Sequence, residues 1–177
     1  KDTVMLAWKR ANVDALNELG RHAYAERGWL TGPEITAPGG RRYRAGDRIV
    51  ALSPSAGVVT SETGTVQKVD TDTSTLTVRL DDGHTTVFPR SLTSSNRFAH
   101  AYAITVHRSQ GATVDTAHYL EDGGGRELAY VALSRARQGT SIYVEADDLD
   151  QAAEDLSINW TNERRQEWVI DQHQTLS

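Results

Sequence analysis

The chain has 177 residues, 38% hydrophobic and 24% charged, proportions that suit one globular domain or a core domain with a small insertion. It holds no cysteine, which excludes a disulfide framework, a thiolate nucleophile and a cysteine-based zinc site. The net charge of −5 is unevenly spread: residues 1–48 carry +3, residues 49–144 carry −1 and residues 145–177 carry −7, so the first four-fifths of the chain can still present a local basic face.

No apolar run approaches the roughly 20 residues that span a bilayer, and no signal peptide opens the chain, so a cytoplasmic setting without membrane contact is expected. Lys1 opens it without a methionine and leads at once into an apolar stretch, which suggests a piece of a longer protein. Residues 3–8 have strand length. From Asn12 to Arg27, Val13, Leu16, Leu19, Ala23 and Tyr24 recur at helical spacing, with Gly28 as the cap that ends the helix. Residues 31–46, rich in Gly, Pro and Arg, read as a loop; Arg41, Arg42 and Arg44 there are either a basic face or a solvated turn. Four short runs follow at 48–52, 64–69, 75–80 and 85–88, rich in Val, Thr, Ile and Leu and separated by turn residues such as Asp81-Asp82-Gly83. Strands that short and that closely spaced predict a small SH3-like barrel. After Ser95 the α/β pattern returns: an apolar segment at 98–105 that suits a strand or a short helix, a strand at 114–120, a helix over 126–138 and a strand at 140–145. The expected fold is α/β, with a lobe at 1–45 and 95–146, the barrel inserted at 46–92, and a helical C-terminal tail at 147–177.

Two segments carry chemistry. Ala101-Tyr-Ala-Ile-Thr-Val-His-Arg-Ser-Gln-Gly111 is followed after about 20 residues by Ala129-Tyr-Val-Ala-Leu-Ser-Arg-Ala-Arg137. In this order they resemble motifs V and VI of superfamily 1 helicases, in the form of the RecD-like branch that includes the helicase parts of conjugative relaxases. Leu6-Ala-Trp-Lys-Arg-Ala-Asn12 resembles motif IV. The family also carries an SH3-like barrel between motifs IV and V. The resemblance spans about residues 3–145 and implies a RecA-like lobe of the P-loop NTPase type, the second of two.

A two-lobe ATP motor needs cations that face the γ-phosphate from the second lobe, and a guanidinium suits that task by being planar, bidentate and permanently charged. By resemblance, Arg135 is the arginine finger and Arg10 reaches the same phosphate, while Gln110 and Gly111 lie near the nucleotide. On a continuous helix Arg135 and Arg137 point about 200° apart, so one alone can face the phosphate, and Arg135 is chosen. Thr105, His107, Arg108 and Ser109 are polar groups that suit phosphates of single-stranded DNA, contacts that position a backbone without reading bases. Where the other branch of the superfamily has an acidic ribose contact, this chain has Thr113.

Absences bound the reading. No Gly-x-x-x-x-Gly-Lys-Ser/Thr loop and no strand-borne Asp-Glu pair occur, so ATP and Mg²⁺ would be held mainly by an N-terminal RecA-like lobe of the same protein, and this chain alone should be inactive. Its six histidines have no ligand-like spacing, so no metal site is expected. The expected function is the second motor lobe of a DNA helicase that moves 5′ to 3′. Two alternatives stand beside it: a non-motor DNA- or protein-binding module of helicase-like fold, and a subunit of an exonuclease V-type recombination complex.

Overall fold

A computed structural model describes residues 3–111 and 113–161. Strand β1 (Thr3–Ala7) leads into helix α1 (Arg10–Glu26). Gly28 ends α1 in a left-handed conformation (φ +68°), with Gly28 N–H bonded to Ala25 O at 3.0 Å and Trp29 N–H to Tyr24 O at 3.0 Å. That pair of bonds satisfies carbonyls which the last turn leaves open. Where the composition suggests a loop, an antiparallel hairpin forms from β2 (Thr31–Thr36) and β3 (Arg42–Ala45). Its connection is a short 3₁₀ turn at Pro38–Gly40.

Strands β4 (Arg48–Ala51), β5 (Thr63–Asp70), β6 (Thr75–Leu80) and β7 (Thr85–Phe88) form an antiparallel sheet with β8 (Phe98–His100), in the order β7-β6-β5-β4-β8. A short helix, α2 (Arg90–Thr93), lies between β7 and β8. This antiparallel module has its own core, in which Tyr43, Ile49, Val66, Leu76, Val78, Phe88 and Phe98 are buried. Tyr43 comes from the hairpin, so β2–β3 packs with the module.

The second core belongs to a parallel sheet of order β11-β10-β1-β9, made by β1, β9 (Ala103–Thr105), β10 (Val114–Glu121) and β11 (Ala136–Val144). The apolar segment 98–105 is thus two strands in two sheets, broken at Ala101-Tyr102. Helix α3 (Gly125–Leu133) covers one face, where Leu6, Val106, Ala117, Tyr119, Ala129 and Ala132 pack. Burying a leucine the size of Leu6, which is 0% exposed, stabilises by about 2 kcal/mol. Helix α1 covers part of the other face and comes close enough that a Cβ on Gly20 would lie 2.7 Å from Tyr102 Cβ. Helix α4 (Leu149–Thr161) packs on α3; the tail expected beyond it, at 162–177, lies outside the described residues.

Helix α3 stops five residues short of the expected Gln138, and β11 begins at Ala136. Leu-Ser-Arg-Ala-Arg is acceptable helix sequence, but the Val114 amide bonds Arg135 O at 3.0 Å and draws the chain into the sheet. Tertiary pairing overrides propensity there. Arg137 accordingly lies on a strand, where helical angles do not set its direction relative to Arg135.

A buried carboxylate joins the two modules. Asp47, fully buried between β3 and β4, accepts from Arg44 N (2.6 Å), Arg21 Nε (3.0 Å) and the Tyr102 hydroxyl (2.5 Å). Arg21 belongs to α1, and Tyr102 to the link between the sheets. Burial, and then the adjoining Asp47 carboxylate, push the Tyr102 hydroxyl well above its ordinary pKa, so it stays a donor.

Candidate nucleotide and nucleic-acid edges

All four strands of the parallel sheet run the same way, so the lobe has a starting edge and a finishing edge. The expected site residues divide between them.

At the finishing edge, Asp122 follows β10 and gathers the first turn of α1. Its carboxylate accepts from Trp8 N (3.0 Å), Lys9 N (2.8 Å) and Asn12 Nδ2 (2.9 Å). A carboxylate suits the amides at a helix start, which carry partial positive charge. The exposed side chain of Arg10 leaves from this turn. Thr105 pairs in register with Ala7 and lies at the same edge. Its Oγ1 accepts from Arg108 N at 3.3 Å and starts the 3₁₀ turn Val106–Ser109, on which His107 is exposed.

At the starting edge, Arg135 immediately precedes β11. Its Nε donates to Val131 O (3.0 Å) and its Nη2 to Ser134 Oγ (2.8 Å), so the guanidinium lies against the C-terminal end of α3. Arg135 lines a cleft of about 170 Å³ between the two sheets. Arg108, Ser109 and Thr113 share its wall, and Arg48, Ser61, Thr63 and Asp81 of the antiparallel module face them. Gln110 and Gly111 border an adjoining cavity, and Gly111 takes the left-handed conformation (φ +86°) that the turn toward β10 requires.

Two expectations change. By register Arg10 and Arg135 lie at opposite ends of β10, a rise of about 23 Å, farther than two arginine side chains reach together. They do not face one phosphate within this lobe. Ser109 is 1% exposed and its Oγ donates to Val106 O at 2.7 Å, so that hydroxyl is turned inward and is no surface phosphate donor.

The electrostatics of the cleft point to an anion. Among the described residues neither Arg108 nor Arg135 forms an ion pair with a carboxylate, although both are half-buried. The facing pair is balanced: Arg48 grips Asp81 with Nη1–Oδ1 and Nη2–Oδ2 both at 2.6 Å, and the Thr63 hydroxyl donates to the same carboxylate. Burial alone would raise the pKa of Asp81, but the hydrogen bonds from Arg48 and Thr63 outweigh it and hold the carboxyl below its usual range. The cleft therefore keeps an excess of positive charge.

Curated relatives carry the same stretch. The chain is 36% identical over 148 residues to the conjugal transfer protein TraA of Agrobacterium fabrum, a match that covers 81% of this chain and 13% of the relative. It is 34% identical over 151 residues to the probable conjugal transfer protein TraA of Sinorhizobium fredii, covering 82% and 14%. The chain is homologous to part of the TraA conjugal transfer proteins. It thus spans about one-seventh of the length of these relatives. No protein-family model matches it. Its mixed α/β fold, with a parallel sheet, is like that of a RecA-like helicase lobe. A structure of Pif1 helicase from Bacteroides in complex with ADP-AlF3 and ssDNA superposes with a TM-score of 0.60 at 22% identity, covering 85% of this chain and 42% of that one. Pif1 helicase from Candida albicans superposes at 0.57 with 17% identity, covering 89% and 50%.

This TraA-like lobe also relies on residues that the sequence hides. Glu121 is buried and accepts from Gly123 N (2.9 Å), Gly124 N (3.2 Å), the Tyr119 hydroxyl (3.1 Å) and Trp160 Nε1 (2.8 Å). It fixes the turn into α3 and anchors α4 to the finishing edge. Burial, and then the Glu121 charge, push the Tyr119 hydroxyl well above its usual pKa. The one available signal was Glu121-Asp122 ending a strand before three glycines, two carboxylates placed to collect loose amides. The Arg48–Asp81 pair left no local signal, because its partners are 33 residues apart.

Proposed function

We propose that this chain is the second motor lobe of an ATP-dependent DNA helicase of the RecD-like kind, working in a longer TraA-like protein against an N-terminal RecA-like lobe. The observation that carries the reading is the pair of half-buried guanidinium groups, Arg135 and Arg108, that share one cleft with no carboxylate on either. A half-buried charge without a partner is costly unless an anion arrives, and a phosphate is the anion that a RecA-like edge meets.

In this reading ATP with Mg²⁺, held mainly by the other lobe, supplies the phosphoryl group whose charge needs stabilising. Arg135 leaves Val131 O and Ser134 Oγ and donates to that phosphate from across the interface. Losing two modest hydrogen bonds costs about 1–3 kcal/mol, which charge-assisted bonds to phosphate offset. Gln110 and Gly111 form the adjoining rim. The finishing edge serves single-stranded DNA: Thr105 and His107 hold its backbone, and Arg10, 23 Å or so from the finger, joins them there instead of facing nucleotide. Residues 1–45 and 95–146 contain the lobe and residues 46–92 the body of an SH3-like barrel inserted in it, with the β2–β3 hairpin and β8 packed on the barrel side, and a C-terminal tail at 147–177 begins with α4. Movement is 5′ to 3′, and the setting is cytoplasmic. Similarity to conjugal transfer proteins favours a role in conjugation over one in a recombination complex.

The test joins this chain to the N-terminal lobe of its parent and measures DNA-stimulated ATP hydrolysis. Arg135→Ala is expected to lower the rate by about 10³-fold or more, the usual worth of an arginine acting across an interface. An unchanged rate removes Arg135 from the mechanism.

A further inference from the structure

A parallel sheet is normally covered on both faces, and this one is covered on one and a half. Helix α3 lies over one face. On the other, α1 packs on β9 and β1. Beyond β1 the cover among the described residues stops, and a cavity of about 630 Å³ opens between α1 and the strands, lined by Met5, Gly20, Tyr24, Trp29, Leu120 and Tyr143. Register sets Met5 beside His118 and Leu120 beside Tyr143 on this face. Tyr143 is 51% exposed and Trp29 56%. The wall offers little to a polar solute, because its polar groups are already engaged. Thr3 Oγ1 meets Thr116 Oγ1 (2.7 Å), His118 Nδ1 meets the Tyr143 hydroxyl (2.8 Å), the Tyr102 hydroxyl donates to Asp47, and Arg48 grips Asp81. The rim cation is Arg27, which lies over the Trp29 ring at 5.5 Å and donates to Ala23 O at 3.1 Å, without a carboxylate among the described residues. An apolar occupant with acidic flanks suits such a place.

We propose that the occupant is this chain's own Trp168-Val169-Ile170 run, which closes the open half of the sheet face. Downstream of α4 it is the only run of three apolar residues, and Glu167 and Asp171 bracket it. The chain leaves α4 at the right place. Trp160 Nε1 donates to Glu121 Oε2 at 2.8 Å, which pins the end of α4 at the finishing edge of β10. Leu120 precedes Glu121, and side chains alternate along a strand, so Leu120 faces the cavity on the opposite side of the sheet. From the layer of α4 to the far side of the sheet is about two layer spacings, roughly 20 Å. Eight residues separate Trp160 from Trp168, and at about 3.3 Å each they span about 26 Å when extended. The run therefore reaches the cavity around the finishing edge with length to spare.

The chain has no cysteine, so one introduced thiol can be labelled cleanly. The test places a bimane fluorophore, which tryptophan quenches on contact, on Ser141→Cys of the 177-residue chain, in the row of His118 and two residues from Tyr143. It compares that protein with the same protein carrying Trp168→Leu, a change that keeps an apolar side chain and removes the quencher. A short tether gives an effective concentration in the mM range, so a contact of about 0.1 mM intrinsic affinity is closed about nine-tenths of the time, and Trp168→Leu should raise the emission by up to about tenfold. The same substitution should leave unchanged a bimane on Tyr130→Cys, an exposed position on α3. A second measurement uses the unlabelled chain and the apolar dye ANS. Wild type should bind little, and Trp168→Ser/Val169→Ser/Ile170→Ser should bind it strongly, because the cavity is then open. Emission at position 141 that Trp168→Leu does not change overturns the proposal. Quenching that grows with protein concentration also overturns it, by assigning the face to a second copy of the chain. Equal dye binding by wild type and the triple variant overturns it as well.

Discussion

Replacing Asp47 by Ala should separate the two modules before it unfolds either one. The carboxylate is 0% exposed and accepts from Arg44 N, Arg21 Nε and the Tyr102 hydroxyl at 2.6, 3.0 and 2.5 Å. Its removal strands three donors. Arg21 has a second partner in Glu34 at 3.0 Å, so its charge is not left bare. The Tyr102 hydroxyl and the Arg44 amide have no such alternative among these contacts, and each buried unmet donor costs about 1–3 kcal/mol. The sum agrees with the roughly 3–5 kcal/mol typical of breaking a buried ion pair from one side. At about 2–4 °C per kcal/mol for a chain of this size, the fall in Tm is roughly 6–20 °C. Because Asp47 ties α1 to the hairpin and β4, while each module keeps its own core, the loss should fall on the coupling. Thermal unfolding followed by tryptophan fluorescence (Trp8 and Trp29 beside α1) and by far-ultraviolet dichroism should give coincident curves for the wild type and separated ones for the variant. A single transition lowered by less than about 1 kcal/mol would refute the reasoning, by showing that solvent replaces the carboxylate without loss.

Gly20→Ala sets helix propensity against space. Alanine gains about 1 kcal/mol in a helix interior, but its Cβ would stand 2.7 Å from Tyr102 Cβ and 3.1 Å from Met5 Cε, and overpacking costs about 1–3 kcal/mol; urea unfolding should therefore show a net loss, and a gain would mean that α1 can move off the sheet. Acid should expose the Arg48–Asp81 pair. Asp81 has a folded pKa held below its unfolded value, so its contribution is present above the unfolded carboxylate range near 3.9 and is lost as pH falls through the folded value. The stability gap between the wild type and Arg48→Gln should be constant above about pH 5 and narrow below it; a gap unchanged at pH 3 would assign the effect of Arg48 to packing.

Some elements could be read from residues alone. The stripe Val13, Leu16, Ala23 and Tyr24 gives α1, and the four Val- and Thr-rich runs give β4 to β7, because period and turn chemistry agree locally. The β2–β3 hairpin does not announce itself. Gly32, Pro33, Gly39 and Gly40 interrupt its alternation, and its chief inward residue is the single Tyr43. The end of α3 is likewise invisible, since it is set by an amide on Val114, 21 residues earlier than Arg135. For the site, the motifs name polar and cationic side chains, but spacing along a chain carries no information about which edge of a sheet each one reaches. That needed the register of β1, β9, β10 and β11. Ser109 shows the same limit on a smaller scale: a hydroxyl in the segment that resembles motif V, spent on a carbonyl three residues back.

The division into two edges has a mechanical consequence. The 3₁₀ turn Val106–Ser109 hangs from Thr105, whose Oγ1 accepts from Arg108 N at 3.3 Å, and the Arg108 side chain lines the cleft that Arg135 also lines. Val106 and Ser109 are buried beneath α3, whose last residue, Leu133, stands two before Arg135. A pull on Arg108 or Arg135 is therefore transmitted through packed atoms to Thr105 and His107, with no long lever needed, because close-packed interiors shift as units and do not deform gradually. Arg10 lies outside this path, on the helix start that Asp122 gathers through Lys9 N and Asn12 Nδ2 at the far end of β10. In the proposed reading, the cleft registers phosphate while Thr105 and His107 change their grip, provided that Arg108 and Arg135 move together and Arg10 stays still.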